Sequence, residues 1–158
     1  MNRLGKVRLY RADGFHGVNE EQVTLYQYDK RGLVTKEVNA AGYETVYVYD
    51  GSGNMIQKTD ADGYITEYGY DPRNLVDSIN YSNEKHVSFQ YNANGEIIAM
   101  TDWNGTVSFA LDILGRIVSV NDQNGKATAY TYDGVNNKTS MAYPDGTTVS
   151  YEYKHTTQ

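Results

Sequence analysis

A Tyr-x-Tyr-Asp core returns along this chain at a near-constant interval, and that interval limits the fold more than any other property. It stands at Tyr26/Tyr28/Asp29, Tyr47/Tyr49/Asp50, Tyr68/Tyr70/Asp71 and Tyr130/Tyr132/Asp133. Degraded copies lie at Phe89/Tyr91/Asn92, Phe109/Leu111/Asp112 and Tyr151/Tyr153/Lys154. The second position of the pair falls at 28, 49, 70, 91, 111, 132 and 153, in steps of 21 residues with a single 20. A fixed period in this range signals a repeat array, in which each unit packs on its neighbours in sequence.

Between cores the chain repeats a short grammar. A first turn, Asp-x-x-Gly, runs Asp29 to Gly32, Asp50 to Gly53 and Asp112 to Gly115, with Asn92 to Gly95 as a variant. An Asp opening such a turn accepts backbone N–H bonds further along, and Gly supplies the left-handed conformation. Asn74 and Asn136 take the Gly place, and Asn is the next residue to tolerate that backbone. A short β-branched or apolar run follows, as in Leu33 to Val38, Met55 to Thr59, Ile97 to Thr101 and Arg116 to Val120. A second turn then ends on Gly42, Gly63, Gly105, Gly125 or Gly146, and such Asp-Gly and Asn-Gly pairs are strong hairpin signals. The weakest second turn is Asn80 to Glu84, with Glu84 where Gly is expected, and the missing residue of the 20-residue step predicts a shortened hairpin between Gly105 and Leu111.

The returning strands alternate with period two: Tyr43, Thr45, Tyr47 and Tyr49 share one face, as do Tyr64, Thr66, Tyr68 and Tyr70. The fold class is therefore all-β, a strip of repetitive antiparallel β-hairpins of about 13 strands, on the order of 60 Å long at the usual strand spacing. Residues 1–22 read as a degenerate first repeat with an extended loop around Phe15 to Glu20. Residues 23–153 read as one continuous array of about six repeats of 20–21 residues, and 154–158 as a tail. The phase of the two ends suggests excision from a longer array.

Composition decides what such a strip is made of. With 16 Tyr against 3 Phe, and 39% apolar residues overall, tyrosine must supply much of the buried area of a thin, half-wet sheet. The net charge of −6 argues against nucleic acid as a partner, and no run of about 18 apolar residues is available to span a bilayer. No cysteine is present, so neither disulfides nor thiolate chemistry contribute. No apolar segment follows Met1 in the manner of a signal peptide.

Catalytic readings fare poorly. His16, His86 and His155 occupy unrelated phases of the repeat, and the recurring aspartates sit at turn positions in each copy, where capping explains them better than acid/base work. Asp60-Ala61-Asp62-Gly63 resembles part of a calcium loop but lacks the remaining oxygen ligands, so a hairpin turn is expected. No catalytic residue, cofactor or metal is expected. Tyr43, Tyr64 and Trp103 are candidates for ligand stacking, and a carbohydrate- or cell-wall-binding module is the alternative to a structural role. The structural expectation is that the tyrosines of successive units form cross-strand ladders.

These motifs resemble the YD repeat of the Rhs family, which also occurs in Tc-toxin shell components and in teneurins. Gly42 to Gly63 follows the family pattern closely, as does Gly125 to Gly146 with Asn136 for Gly, and the resemblance covers roughly residues 20 to 153. It implies a curved β-sheet that spirals into a shell or barrel in a large secreted or cell-surface protein. In the large bacterial members that shell encloses a C-terminal toxin domain. The implied partners are neighbouring repeats of the parent chain and an enclosed toxin domain. Open sheet edges add a route to self-association. The family's Pro-rich Asp-Pro-x-Gly-Leu plug, tied to self-cleavage, is absent from this sequence.

Overall fold

The structure is a computed structural model that describes residues 3–11 and 20–153. The long first loop, with Phe15 and His16, and the tail at 154–158, with His155, lie outside the described residues. Contacts divide the chain into two compact units, Met1–Glu84 and Lys85–Gln158.

In the first unit seven strands follow one another in sequence order: β1 (Arg3–Arg11), β2 (Glu20–Tyr28), β3 (Val34–Val38), β4 (Glu44–Tyr49), β5 (Met55–Thr59), β6 (Ile65–Tyr70) and β7 (Val76–Tyr81). The second unit repeats the arrangement with β8 (His86–Tyr91), β9 (Ile97–Asp102), β10 (Gly105–Leu111), β11 (Ile117–Asn121), β12 (Ala127–Tyr132), β13 (Lys138–Ala142) and β14 (Thr148–Ser150). Within each unit every strand pairs antiparallel with its neighbours in sequence. The described residues contain no helix. The result is the all-β hairpin strip that the period-two alternation predicts, at fourteen strands rather than about thirteen.

The sheet has no second layer to pack on, and its burial shows it. Ala99, at 8% exposure, is the single buried apolar residue among the described ones, and no polar residue there is buried. Stability must therefore come from ladders, turns and half-covered side chains. The two faces share the burial unequally. In β4, Thr45, Tyr47 and Tyr49 are half-buried while Glu44, Val46 and Val48 are exposed, and β12 repeats this with Thr128, Tyr130 and Tyr132 against Ala127, Ala129 and Thr131. In these two strands the tyrosine face is the more covered one, while the buried Ala99 lies on the reverse face, paired with Gln90 and Ser108.

Register comes from the turns. Asp29, Asp50, Asp71, Asp112 and Asp133 each receive a 2.8–3.0 Å hydrogen bond at Oδ1 from the N–H four residues on. Each in return donates its own N–H to the carbonyl of that residue. Asn92 does the same through its amide oxygen. Asn39, Asp60 and Asp122 build the second turns identically. The fourth residue of the turn is left-handed, which Gly adopts freely; Asn74 (φ 63°), Asn136 (φ 71°) and Glu84 (φ 64°) occupy that backbone where Gly is missing.

The hairpin between β9 and β10 is the short one. Gly105 pairs directly with Asp102, leaving Trp103 and Asn104 as a two-residue loop, whereas the Asp60 and Asp122 turns close with three residues between their ends. That lost residue accounts for the 20-residue step, and the faces on either side remain in phase.

One ladder expectation changes. The tyrosines of successive units do not stand opposite one another: Tyr26 faces Glu37, Tyr47 faces Lys58, Tyr68 faces Ile79 and Tyr130 faces Met141. Each repeat contributes two strands, so β3 and β5 separate the core strands β2, β4 and β6, and each tyrosine meets the strand between two cores. Rows on that face are consequently mixed rather than tyrosine ladders.

Candidate functional site: tyrosine rungs and turn clasps

The second tyrosine of each core sits at an interruption of the ladder. The pairing shifts by one residue between Gln27 and Tyr28, Val48 and Tyr49, Gly69 and Tyr70, Gln90 and Tyr91, Ala110 and Leu111, and Thr131 and Tyr132. A bulge of this kind bends the strand and re-aims the side chain it carries. The ring then swings back over the preceding strand.

Its hydroxyl finds a backbone carbonyl there. Tyr49 donates to Val34 O at 2.9 Å, Tyr70 to Met55 O at 2.7 Å, Tyr132 to Ile117 O at 2.8 Å and Tyr153 to Lys138 O at 2.9 Å, in each case fifteen residues back. The acceptors share a reason. The β3–β4 pairing runs from Lys36–Val46 to Val38–Glu44, so Val34 lies beyond its end, at the mouth of the hairpin. Met55 and Ile117 lie equally beyond the β5–β6 and β11–β12 pairings. The tyrosine hydroxyl bonds a carbonyl that the ladder does not reach, and so closes the mouth opposite the turn. Burial, with the nearby carboxylates of Asp29 and Asp50 adding to it, pushes the Tyr49 and Tyr70 hydroxyls above their ordinary value and keeps them protonated as donors.

A second fastening runs between consecutive first turns. Arg31 holds Asp29 through Nε at 2.9 Å and reaches with Nη1 to Asp50 O at 2.7 Å and Gly51 O at 3.3 Å. Asn54 Nδ2 bonds both Asp50 Oδ2 and, at 2.9 Å, Asn74 Oδ1 in the following turn. Arg116 ties Asp112 Oδ2 at 2.7 Å to Asp133 O at 3.2 Å and Asn136 Oδ1 at 3.0 Å, with its guanidinium 4.8 Å from the Tyr132 ring centre. A planar guanidinium suits this task because it presents several donors in fixed directions. Glu96 takes the corresponding place against Gly115, where an added Cβ would strike its carboxylate.

The turn carboxylates are fully engaged by these bonds. At Asp29, Asp50, Asp71 and Asp112 desolvation alone would raise the carboxyl, but the backbone N–H donors and the Arg or Asn side chains outweigh it and hold each below its ordinary value. At Asp122 and Asp145 the N–H groups of Lys126 and Thr147 lead the lowering. These groups are ionised acceptors locked in turns, the opposite of a carboxyl poised for proton transfer near neutrality. No group of three or more His, Asp or Glu residues able to hold a metal occurs among the described residues, and Asp60 Oδ1 is occupied by the N–H groups of Asp62 and Tyr64.

The stacking candidates lie elsewhere. Tyr43, Tyr64 and Trp103 are more than half exposed and stand at second turns, on the edge opposite the rungs. Trp103 carries the Lys85 ammonium 4.2 Å from a ring centre, which joins two neighbouring second turns. Tyr64 borders a shallow, open groove with Asp62, Ser82 and Asn83. These residues converge on no enclosed cavity.

Of the motif positions read from sequence, the rungs gather Tyr49, Tyr70 and Tyr132, and the turns gather Asp29, Gly32, Asp50, Gly53, Asp71, Gly95, Asp112, Gly115 and Asp133. Gly63, Gly125 and Gly146 close second turns. The first tyrosines, Tyr47, Tyr68 and Tyr130, stand within paired strands; Tyr47 reaches Glu37 at 3.4 Å and the Lys138 ammonium lies 4.4 Å from the Tyr130 ring centre. Tyr26 and Tyr28 hold a tilted ring pair 6.4 Å apart. The clasps by Arg31, Asn54 and Arg116 are additional to the sequence reading. Their signal is a long polar side chain two or four residues after each turn aspartate.

A family model described as RHS Repeat matches residues 49–83 and 114–153. Among solved structures, the TcdB2–TccC3–Cdc42 complex is similar at a TM-score of 0.69 and 15% identity, over 89% of this chain and 8% of the other. TcdB2–TccC3 is similar at 0.53 and 16%, over 93% of this chain and 11% of the other. TcdB2–TccC3 without its hypervariable C-terminal region gives 0.53 and 15% with the same coverage, 93% and 11%. The chain thus spans about a tenth of the length of the structures it resembles. No curated protein sequence matches it.

Proposed function

We propose, from the RHS Repeat model that matches residues 49–83 and 114–153, that the chain is a non-enzymatic wall segment of a β-shell in a large secreted or cell-surface bacterial protein. The shell is of the kind that encloses a C-terminal toxin domain. The observation that carries this reading is the recurrent rung, four hydroxyl-to-carbonyl bonds at one spacing. The hydroxyls of Tyr49, Tyr70, Tyr132 and Tyr153 and the guanidinia of Arg31 and Arg116 hold strand to strand and turn to turn, which is what a wall requires and a reaction centre does not. The fold similarity to TcdB2–TccC3 supports the same reading.

The test uses the parent protein. Its full reading frame is expressed and digested with a broad-specificity protease under native conditions. Enclosure predicts that the segment C-terminal to the repeats survives digestion until the strip is unfolded. Digestion of that segment as fast as the isolated segment would refute enclosure.

A second reading, carbohydrate binding, finds its support in the exposed Tyr43, Tyr64 and Trp103 rather than in the rung tyrosines. It predicts binding of a cell-wall glycan, read by isothermal titration calorimetry, that Tyr43→Ala, Tyr64→Ala or Trp103→Ala weakens. Indifference to a panel of cell-wall glycans would remove it.

A further inference from the structure

The β9–β10 hairpin lacks the rung hydroxyl. The Ser108–Ala99 pairing sets Ile97 opposite Ala110 and Leu111 one residue beyond, at the mouth of β9–β10. The Ser119–Ala129 pairing sets Ile117 opposite Thr131 and Tyr132 one residue beyond, and there the Tyr132 hydroxyl reaches Ile117 O. Leu111 therefore occupies the rung position with no hydroxyl to offer. The tip of the same hairpin carries a fastening of its own. It has the two-residue loop and a Thr101–Thr106 hydroxyl bond of 2.8 Å. The clasp at its mouth is the acidic Glu96, whose Oε2 is already engaged by Asn92 at 2.7 Å.

We propose that the mouth of β9–β10, between Ile97 and Leu111, is a built-in opening seam of the strip, hinged at the Asp102–Gly105 tip. Local opening starts where the fewest bonds must break. Here the leaf separates from its mouth inward and stops at the Thr101–Thr106 bond, while the rungs keep the β3–β4, β5–β6 and β11–β12 mouths shut. The inference rests on the wall reading for its purpose, a place for a shell to part, but the seam itself is a property of this hairpin.

Native-state hydrogen exchange followed by mass spectrometry tests it on the chain as it stands. Peptides covering residues 96–99 and 109–111 are expected to exchange roughly two- to tenfold faster than those covering the β5–β6 and β11–β12 mouths, the effect of one absent hydrogen bond. Leu111→Tyr should bring the fast mouth to the rate of the others, and Tyr132→Leu should create a second fast mouth around Ile117. Equal rates at the three wild-type mouths would overturn the proposal whether or not either variant folds. So would a Leu111→Tyr variant that folds and keeps the fast exchange. Neither result bears on enclosure, which the protease experiment on the parent protein decides separately.

Discussion

Removing one hydroxyl from a rung isolates the contribution of the rung bond. In Tyr70→Phe the ring, its packing and the bulge remain, and only the 2.7 Å bond to Met55 O is lost. A neutral hydrogen bond contributes about 0.5–1.5 kcal/mol net. Tyr70 and Met55 are both half-buried, so water can partly replace the lost donor. The expected cost lies in the lower half of that range, about 0.5–1 kcal/mol. In a chain of this size that corresponds to a fall in Tm of roughly 1–4 °C. Successive rungs are two strands apart, about 10 Å, far enough for their effects to add. Replacing Tyr49, Tyr70, Tyr132 and Tyr153 together by Phe should then cost about 2–4 kcal/mol. Urea unfolding followed by far-UV circular dichroism reads these differences, with Tyr64→Phe as the control because its ring is largely exposed. A Tyr70→Phe midpoint equal to wild type, or a Tyr64→Phe loss of the same size, would refute the rung argument.

Glu84 holds a left-handed backbone at φ 64° that costs an ordinary residue about 1 kcal/mol, so Glu84→Gly should raise stability by a similar amount, read as an increase in Tm. Stability should also fall in acid. Asp29, Asp50, Asp71, Asp112, Asp122 and Asp145 are held below the ordinary 3.8 in the folded chain. Their contribution is therefore complete above that value and is lost as pH drops through the lowered folded values. A urea midpoint that stays flat from pH 6 to pH 2 would show that the turn carboxylates contribute nothing.

The parts of this architecture written in side-chain identity were legible from the sequence. Tyr-x-Tyr-Asp gave the period, Asp29 to Gly32 and its relatives gave the turns, and the Tyr43 to Tyr49 alternation gave the sheet. The 20-residue step pointed to the short hairpin at Asp102–Gly105. The rungs were hidden because their acceptors, Val34, Met55, Ile117 and Lys138, offer a backbone carbonyl, which carries no letter of its own. The clasps were hidden because Arg31 precedes its turn glycine while Arg116 follows it, so the two do not align although they perform one task. The tyrosines form no ladder because each repeat places a second strand between successive cores, so a shared face does not make them neighbours.

Every rung reaches back a single hairpin, and every clasp ends at the adjoining turn. No side chain in this scheme registers how many hairpins stand before or behind it. Whole units can accordingly be duplicated or lost in evolution with each junction left chemically the same, and the damage from a poor unit stays within its two borders. Strip length becomes a quantity that copy number alone adjusts.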